Sequence, residues 1–234
     1  MNIAGLQKMT LLDFPGKVAC TVFLAGCNFR CPFCHNSPLL TGQPEGGMDE
    51  QALLAFLEQR RGILDGVCIT GGEPTLQPEL PSLLRRIKAL GYPIKLDTNG
   101  YRPEVLKSLV TEGLVDYVAM DVKNSPTQYS ATAGVCIDLP RIEESLRFLL
   151  SDPVDYELRT TVVHPLHSER SIEEMSQWLN NLTNNRPFQR LFLQSFVDRD
   201  TVLFSGLEAP APQMLEQYRS LLASVAKDVT IRGK

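Results

Sequence analysis

The chain has 234 residues, of which 43% are hydrophobic and 21% are charged, with a formal net charge of −4. This composition is that of an ordinary globular protein, and its acidic balance argues against a basic surface for nucleic acid. The first residues do not read as a signal peptide, and no apolar run reaches the roughly 18 residues that a membrane helix needs. We therefore expect a cytoplasmic protein that binds neither nucleic acid nor membranes.

Apolar runs of strand length alternate along the chain with segments of helical period. The strand candidates are 18–24, 67–70, 94–97, 117–120, 156–163 and 190–193, and helical spacing occurs within 53–57, 80–90, 106–110, 142–149 and 175–182. Repeated βαβ units predict a parallel sheet with right-handed crossovers. Six units fall short of the eight that close a full barrel, so we predict an α/β fold, a partial (β/α)6 TIM-like barrel. We expect a single domain over residues 1–234, with its core at about 18–200.

Glycine and polar residues follow four of the predicted strands. They lie at 26–36, 71–74, 97–100 and 121–123. Ligand chemistry in such folds gathers at the carboxyl ends of the strands, so these four loops are expected on one rim.

Three of the six cysteines fall within eight residues, as Cys27, Cys31 and Cys34. In a reducing compartment, clustered thiols bind metal more often than they pair with each other. Three thiolates can each hold one iron of a four-iron, four-sulfur (4Fe–4S) cluster and leave the fourth iron open for a ligand. The alternative is a structural zinc site with His35 as fourth ligand. Its adjacency to Cys34 weakens this alternative, since zinc sites usually draw pairs of ligands from separated segments.

The cysteine spacing, Phe33 before the last cysteine, and the Gly-Gly-Glu-Pro run at 71–74 together resemble the radical S-adenosylmethionine (radical SAM) superfamily. More narrowly, the segments 13–17, 25–28, 34–36 and 97–100 resemble the activating enzymes of glycyl-radical enzymes. The whole chain is similar to the anaerobic ribonucleoside-triphosphate reductase activating proteins. The superfamily likeness covers roughly residues 18–165, and 194–198 matches the family's late motif only approximately.

This resemblance implies two cofactors, a 4Fe–4S cluster on the three cysteines and S-adenosylmethionine (SAM). The amino and carboxylate groups of SAM would chelate the open iron, and one electron would release a 5′-deoxyadenosyl radical. The implied partners are a glycyl-radical enzyme, with anaerobic ribonucleotide reductase favoured and a pyruvate formate-lyase type open, and a flavodoxin or ferredoxin as electron donor. The implied setting is anaerobic metabolism.

The resemblance also implies contacts to SAM from the first loops. Gly71 and Gly72 would let the backbone approach the methionine amino group, and Glu73 would accept a hydrogen bond from it; the alternative is a plain turn. Asp97 and Asn99 would serve the ribose and carboxylate side of SAM, although Asp-Thr-Asn-Gly is also strong turn chemistry.

Later residues complete the implied site. Asp121 could join Asp97 around a cation, and Lys123 would pair with the SAM carboxylate, the alternative being a solvated lysine. Arg159 matches an arginine of the family's fifth strand, and a charge in an apolar strand is costly unless it is paired. Phe33 and His35 would flank the adenine, with simple packing an alternative for His35.

Other residues are interpreted as structural. Cys20, Cys68 and Cys136 are expected to be buried or incidental, His164 and His167 to lie in a loop, and Trp178 to lie in the core. Two other functions stay open. One is a small-molecule radical SAM enzyme such as 7-carboxy-7-deazaguanine synthase, for which Arg159 and Gln194 would supply polar contacts. The other is a zinc-stabilised binding module.

Overall fold

The computed structural model describes residues 1–40, 47–184 and 186–233. The strands are β1 (Ile3–Thr10), β2 (Ala19–Leu24), β3 (Gly66–Gly71), β4 (Ile94–Thr98), β5 (Tyr117–Asp121), β6 (Asp155–Val162), β7 (Phe188–Ser195) and β8 (Ala226–Arg232). The helices are α1 (Glu50–Gln59), α2 (Leu80–Ala89), α3 (Pro103–Thr111), α4 (Tyr129–Ala133), α5 (Leu139–Leu150), α6 (Glu169–Thr183) and α7 (Pro212–Leu221). Short 3-10 helices occupy Ser37–Leu39 and Pro74–Leu76. Within the described residues, no helix combines the length and the apolarity needed to span a bilayer.

Helix α2 shows how the sequence determines these elements. Leu80, Leu83, Leu84 and Ile87 recur at helical spacing and are all fully buried. Burial of each such side chain contributes roughly 1.5–3 kcal/mol relative to exposure. The helix stops before Gly91, whose φ of +90° glycine adopts without steric cost.

The strands follow chain order in the sheet, from β1 to β8. β1 pairs antiparallel with β2, whereas the β2–β3, β3–β4, β6–β7 and β7–β8 pairs are parallel. Each strand from β2 to β7 is followed by at least one helix. This order confirms the predicted α/β fold with its six β/α units. The six predicted strands correspond to β2–β7, while β1, β8, α4 and α7 were not predicted.

The chain separates into two compact units. The first comprises Met1–Asn28 and Pro38–Ala119, and the second comprises Phe29–Ser37 and Met120–Lys234. In the first unit, most residues of β2, β3 and β4 are buried, among them Val22, Ile69 and Leu96. In the second unit, Leu158, Leu191 and Leu193 are buried in the same way. That the chain acts as one domain stays a prediction.

Candidate functional site

In the first unit, the glycine loop after β3 packs directly on the start of the cysteine segment. Gly72 N donates to Leu24 O at 2.8 Å, and Glu73 N donates to Gly26 O at 2.8 Å. A Cβ atom on Gly71 would lie 2.3 Å from Leu24 O, and one on Gly72 would lie 2.0 Å from Gly26 O. Both positions therefore require glycine, which explains the two glycines without appeal to a ligand.

The Glu73 carboxylate lies inside the first unit, with 1% of the residue exposed. Its Oε1 accepts from Thr75 N at 3.1 Å, Thr75 Oγ1 at 2.5 Å and Thr98 Oγ1 at 2.8 Å, and its Oε2 accepts from Asn99 N at 2.7 Å. Burial raises the pKa of Glu73, and these hydrogen bonds oppose that rise. The carboxylate thus joins the β3 and β4 loops. This geometry favours a positioning role for Glu73 over the predicted direct contact with an amino group, which stays a prediction.

Asn99 connects this network to the residue after the first cysteine. Its Oδ1 accepts from Tyr101 N at 3.0 Å, and its Nδ2 donates to Asn28 Oδ1 at 2.8 Å. The same Asn28 Oδ1 lies 4.0 Å from Cys27 Sγ. The Nδ2 of Asn28 is buried and has no hydrogen-bond partner within the described part of the chain. Asn28 has no role in the predicted site, although its place beside Cys27 was a signal.

Asp97 has a partner that sequence reasoning missed. Lys95, two residues earlier on β4, is 1% exposed, and its Nζ forms an ion pair with Asp97 Oδ1. Lys95 pairs in register with Cys68 on β3, whose Sγ lies 3.9 Å from Lys95 Nζ. A lysine within an apolar strand was the signal, because a buried charge needs a partner. The predicted SAM contact of Asp97 stays a prediction, and the expectation that Cys68 is buried is met.

In the second unit, Asp121 forms ion pairs with two basic side chains. Its Oδ2 accepts from Lys123 Nζ at 2.9 Å and its Oδ1 accepts from Arg159 Nε at 2.9 Å. Burial alone would raise the pKa of Asp121, but Lys123 and Arg159 outweigh it and lower that pKa to about 2. Burial alone would lower the pKa of Lys123, yet Asp121 raises it above the usual value. Lys123 is therefore an ion-paired cation and not a solvated lysine, and its predicted SAM contact stays a prediction.

The second unit also contains the later part of the cysteine segment. Cys31 and Phe33 are 8% and 6% exposed, and Lys123 Nζ lies 6.0 Å from the centroid of the Phe33 ring. Burial raises the pKa of the Cys31 and Cys34 thiols, and Lys123 opposes that rise in both. Both cysteines are free of disulfides.

The segment after β5 anchors this loop through main-chain contacts. Arg30 N donates to Ala133 O at 2.8 Å. Gly134, with a φ of +69°, lies so close that an added Cβ would be 2.0 Å from Arg30 O. Helix α4 and its glycine cap thus fix the backbone one residue before Cys31.

His35 packs in the second unit against the segment after β7. Its Nε2 lies 2.6 Å from Val197 O, and its ring stacks on Phe196 with 5.7 Å between centroids. Because a carbonyl oxygen only accepts, Nε2 carries the proton in this contact and is not available to a zinc ion. Among the described residues, no group of three or more His, Cys, Asp and Glu side chains is arranged to hold a metal ion. The three-cysteine site and the contact of His35 with adenine therefore stay predictions.

Residues interpreted as structural lie where that interpretation places them. Cys20 is fully buried and Cys136 is exposed. Trp178 is 9% exposed, and its Nε1 donates to Glu143 at 2.8 Å. His167 is more than a loop residue, because its buried ring contacts Lys123 O through Nε2 at 2.8 Å.

Comparison with known proteins identifies the family of this chain. The family described as the Radical SAM superfamily matches residues 21–179, which is more than half of the chain. A protein of Methanocaldococcus jannaschii named as a glycyl-radical enzyme activating enzyme is 29% identical over 98% of this chain and 95% of its own length. A 7-carboxy-7-deazaguanine synthase of Methanospirillum hungatei is 30% identical over 64% of this chain and 62% of its own.

Solved structures show the same fold. A domain of a pyruvate-formate lyase-activating enzyme from Bacteroides vulgatus superposes with a TM-score of 0.58 at 22% identity. The match covers 72% of this chain and 99% of that domain. At this level of identity, the likeness concerns the fold alone.

Proposed function

Because this chain belongs to the radical SAM superfamily, whose members use a 4Fe–4S cluster and SAM, we propose that it is an activating enzyme that generates a glycyl radical on a partner enzyme. The observation that carries this proposal is the full-length relationship to the M. jannaschii protein, which spans 98% of this chain and 95% of that one. The activase-like segments of the sequence agree with it. We further propose that the whole chain forms one catalytic domain in the cytoplasm.

We propose that Cys27, Cys31 and Cys34 hold the cluster. They lie within eight residues, and three thiolates leave one iron open. The buried Nδ2 of Asn28, next to Cys27, has no acceptor among the residues that the structure describes, which fits a site that takes up a further acceptor. A bound cluster would supply the electron that cleaves SAM into methionine and a 5′-deoxyadenosyl radical. A reduced flavodoxin or ferredoxin is the proposed source of that electron.

In this proposal, the first unit binds SAM with its backbone and amide groups. Gly72 N and Glu73 N hold this loop through their hydrogen bonds to Leu24 O and Gly26 O. The Gly71–Gly72 main chain would face the methionine amino group. Glu73 acts mainly by positioning Asn99: its Oε2 accepts a hydrogen bond from Asn99 N at 2.7 Å. Asp97 would accept hydrogen bonds from the ribose, and Lys95 holds the Asp97 carboxylate in place through their ion pair.

The second unit supplies the charged and aromatic groups. Lys123 would attract the SAM carboxylate. Asp121 fixes the position of Lys123 through an ion pair of 2.9 Å, and Arg159 holds Asp121 through a second ion pair of 2.9 Å. Phe33 and His35 flank the adenine. An alternative role for Asp97 and Asp121 is to bind a cation. This role is disfavoured because both carboxylates already form ion pairs, Asp97 with Lys95 and Asp121 with Lys123 and Arg159.

The proposed partner is an anaerobic ribonucleotide reductase, supported by the resemblance of the whole sequence. A pyruvate formate-lyase type of partner is the nearest alternative. The test is to incubate the reduced protein anaerobically with SAM and each candidate enzyme and to record electron paramagnetic resonance (EPR) spectra. We expect a glycyl radical on the reductase that disappears when its glycine is replaced by alanine. SAM cleavage without a glycyl radical on any candidate would contradict the activase assignment and leave the radical SAM chemistry intact.

A second candidate is a small-molecule enzyme like the 7-carboxy-7-deazaguanine synthases. The observation in its favour is a polar sheet face in the second unit, where Thr161, Gln194 and Arg232 share one row. Arg232, however, pairs with the buried Glu157 at 3.0 Å and stacks 3.3 Å from the Phe192 centroid. This arginine is thus engaged within the protein, which favours the activase.

A further inference from the structure

We propose that the side-chain amide of Asn28 donates a hydrogen bond to a sulfur atom of the iron–sulfur cluster and raises its reduction potential. The inference rests on the proposed function, because it requires the cluster that Cys27 would bind. It concerns a residue that the motif analysis left without a role.

The orientation of the Asn28 amide follows from a chain of hydrogen bonds within the first unit. Tyr101 N can only donate, so the atom of Asn99 that it meets at 3.0 Å must be Oδ1. The other end of the Asn99 amide is then Nδ2, which can only donate. The Asn28 atom that it meets at 2.8 Å must therefore be Oδ1. The Asn99 backbone is fixed in turn by the buried Glu73.

This relay leaves Asn28 Nδ2 as a buried donor without an acceptor among the residues that the structure describes. Buried polar groups in native proteins nearly always have a partner, and an unpaired one destabilises the fold. A donor in such a position is explained by an acceptor that belongs to the loaded protein.

The identity of that acceptor follows from the neighbour of the amide. Asn28 adjoins Cys27 in the chain, and its Oδ1 lies 4.0 Å from Cys27 Sγ. As a cluster ligand, Cys27 is a thiolate, which cannot donate and does accept. The sulfides of a bound cluster would be further acceptors. The acceptor class that fits Asn28 Nδ2 is therefore sulfur.

Hydrogen bonds to sulfur are one of the factors that set the reduction potential of an iron–sulfur cluster. A donor stabilises the more negative, reduced form, so its removal lowers the potential. Asn28→Asp keeps an oxygen for Asn99 and replaces the donor by a charged oxygen facing the sulfur. Asn28→Ala removes the donor without adding charge.

The experiment is an EPR-monitored redox titration of the anaerobically reconstituted full chain without SAM. For Asn28→Asp we expect the equilibrium constant for one-electron reduction of the cluster to fall about tenfold. This change equals a reduction potential that is 59 mV lower. Asn28→Ala should shift in the same direction by less. The control is Asn180→Asp, whose side chain bonds Ser224 Oγ at 2.9 Å in the second unit, and it should leave the potential unchanged. Unchanged potentials in both Asn28 variants would overturn the inference.

A measurement on the wild-type protein guards against variants that fail to fold. With asparagine labelled by 15N at the side-chain amide alone, the reduced cluster should show a 15N hyperfine coupling in the absence of SAM, and absence of this coupling contradicts the inference. The label leaves out the backbone amide of Asn36, which hydrogen-bonds Cys34. A wild-type protein that assembles no cluster contradicts the proposed function itself. A cluster with unaltered potential and weakened SAM binding in Asn28→Ala would place the acceptor on SAM and overturn the assignment to sulfur.

Discussion

At the level of single residues, Lys95 has an important structural role that the sequence pattern did not predict. Its side chain is 2% exposed and pairs with Asp97, whereas Lys88 on α2 forms a comparable pair with Asp116 at 29% exposure. Removing one member of a buried pair costs about 3–5 kcal/mol, and an exposed pair contributes about 0–1 kcal/mol. We therefore predict that Lys95→Met destabilises the protein by several kcal/mol in urea denaturation. Lys88→Met is the matched control, and equal losses in both variants would contradict the role of burial.

His167 makes a pH-dependent contribution to stability. Burial lowers its pKa below the usual value, and hydrogen bonds with Lys123 and Val163 oppose that shift. The unfolded chain therefore binds more protons, so stability falls as pH drops through about 6.5, by at most about 1.4 kcal/mol per pH unit. We predict that His167→Gln flattens this dependence between pH 7.5 and 5.5. The exposed His164 is the control, and His164→Gln should leave the dependence as it is in the wild type.

At the scale of elements, the β3 loop is constrained by backbone contact. Gly72→Ala would place a Cβ atom 2.0 Å from Gly26 O, so the two loops must separate. We predict at least a tenfold weaker SAM affinity, measured by equilibrium binding to the reconstituted protein, together with a lower melting temperature. Gly5→Ala on β1 is the control, because its Cβ would meet only Phe23 at 4.0 Å. Unchanged SAM binding in Gly72→Ala would contradict a role for this loop at the ligand.

Strands and helices were predicted correctly where the burial of their side chains produces a clear pattern in the sequence. β3 and β4 read as short apolar runs because consecutive side chains of each strand are buried. α2 reads as a helix because its four core residues share one face. β1 was missed because its middle residues are half-buried or exposed and mix polar with apolar types. β8 was missed for the same reason, since only Ala226 among its residues is buried.

The candidate site was predictable to the extent that chemistry depends on residue type. The cysteine spacing and the glycine pair are visible in the sequence, and the structure shows why both glycines are required. The burial of Glu73, the Lys95–Asp97 pair and the orientation of Asn28 are not visible, because each depends on contacts between residues far apart in the chain.

At the scale of the whole molecule, the six β/α units and the family match describe a radical SAM protein with an additional strand at each end of the sheet. The last strand is fixed by Arg232, which joins the buried Glu157 on β6 to the C-terminal segment at 3.0 Å. We predict that Arg232→Ala lowers the melting temperature, because it removes a cationic partner from the buried Glu157 carboxylate. Arg219→Ala, which breaks an exposed pair with Glu216, is the control and should have little effect. Equal stability of Arg232→Ala and the wild type would contradict this anchoring role.

We propose that this chain cleaves SAM with a cluster held by Cys27, Cys31 and Cys34. The most direct measurement is the formation of 5′-deoxyadenosine by anaerobically reconstituted, reduced protein, with iron content determined on the same sample. We predict about four irons per chain and steady cleavage, lost in Cys31→Ala and retained in Cys136→Ala, whose cysteine is exposed and outside the motif. Zinc in place of iron, or no 5′-deoxyadenosine from protein that holds its cluster, would contradict the claim.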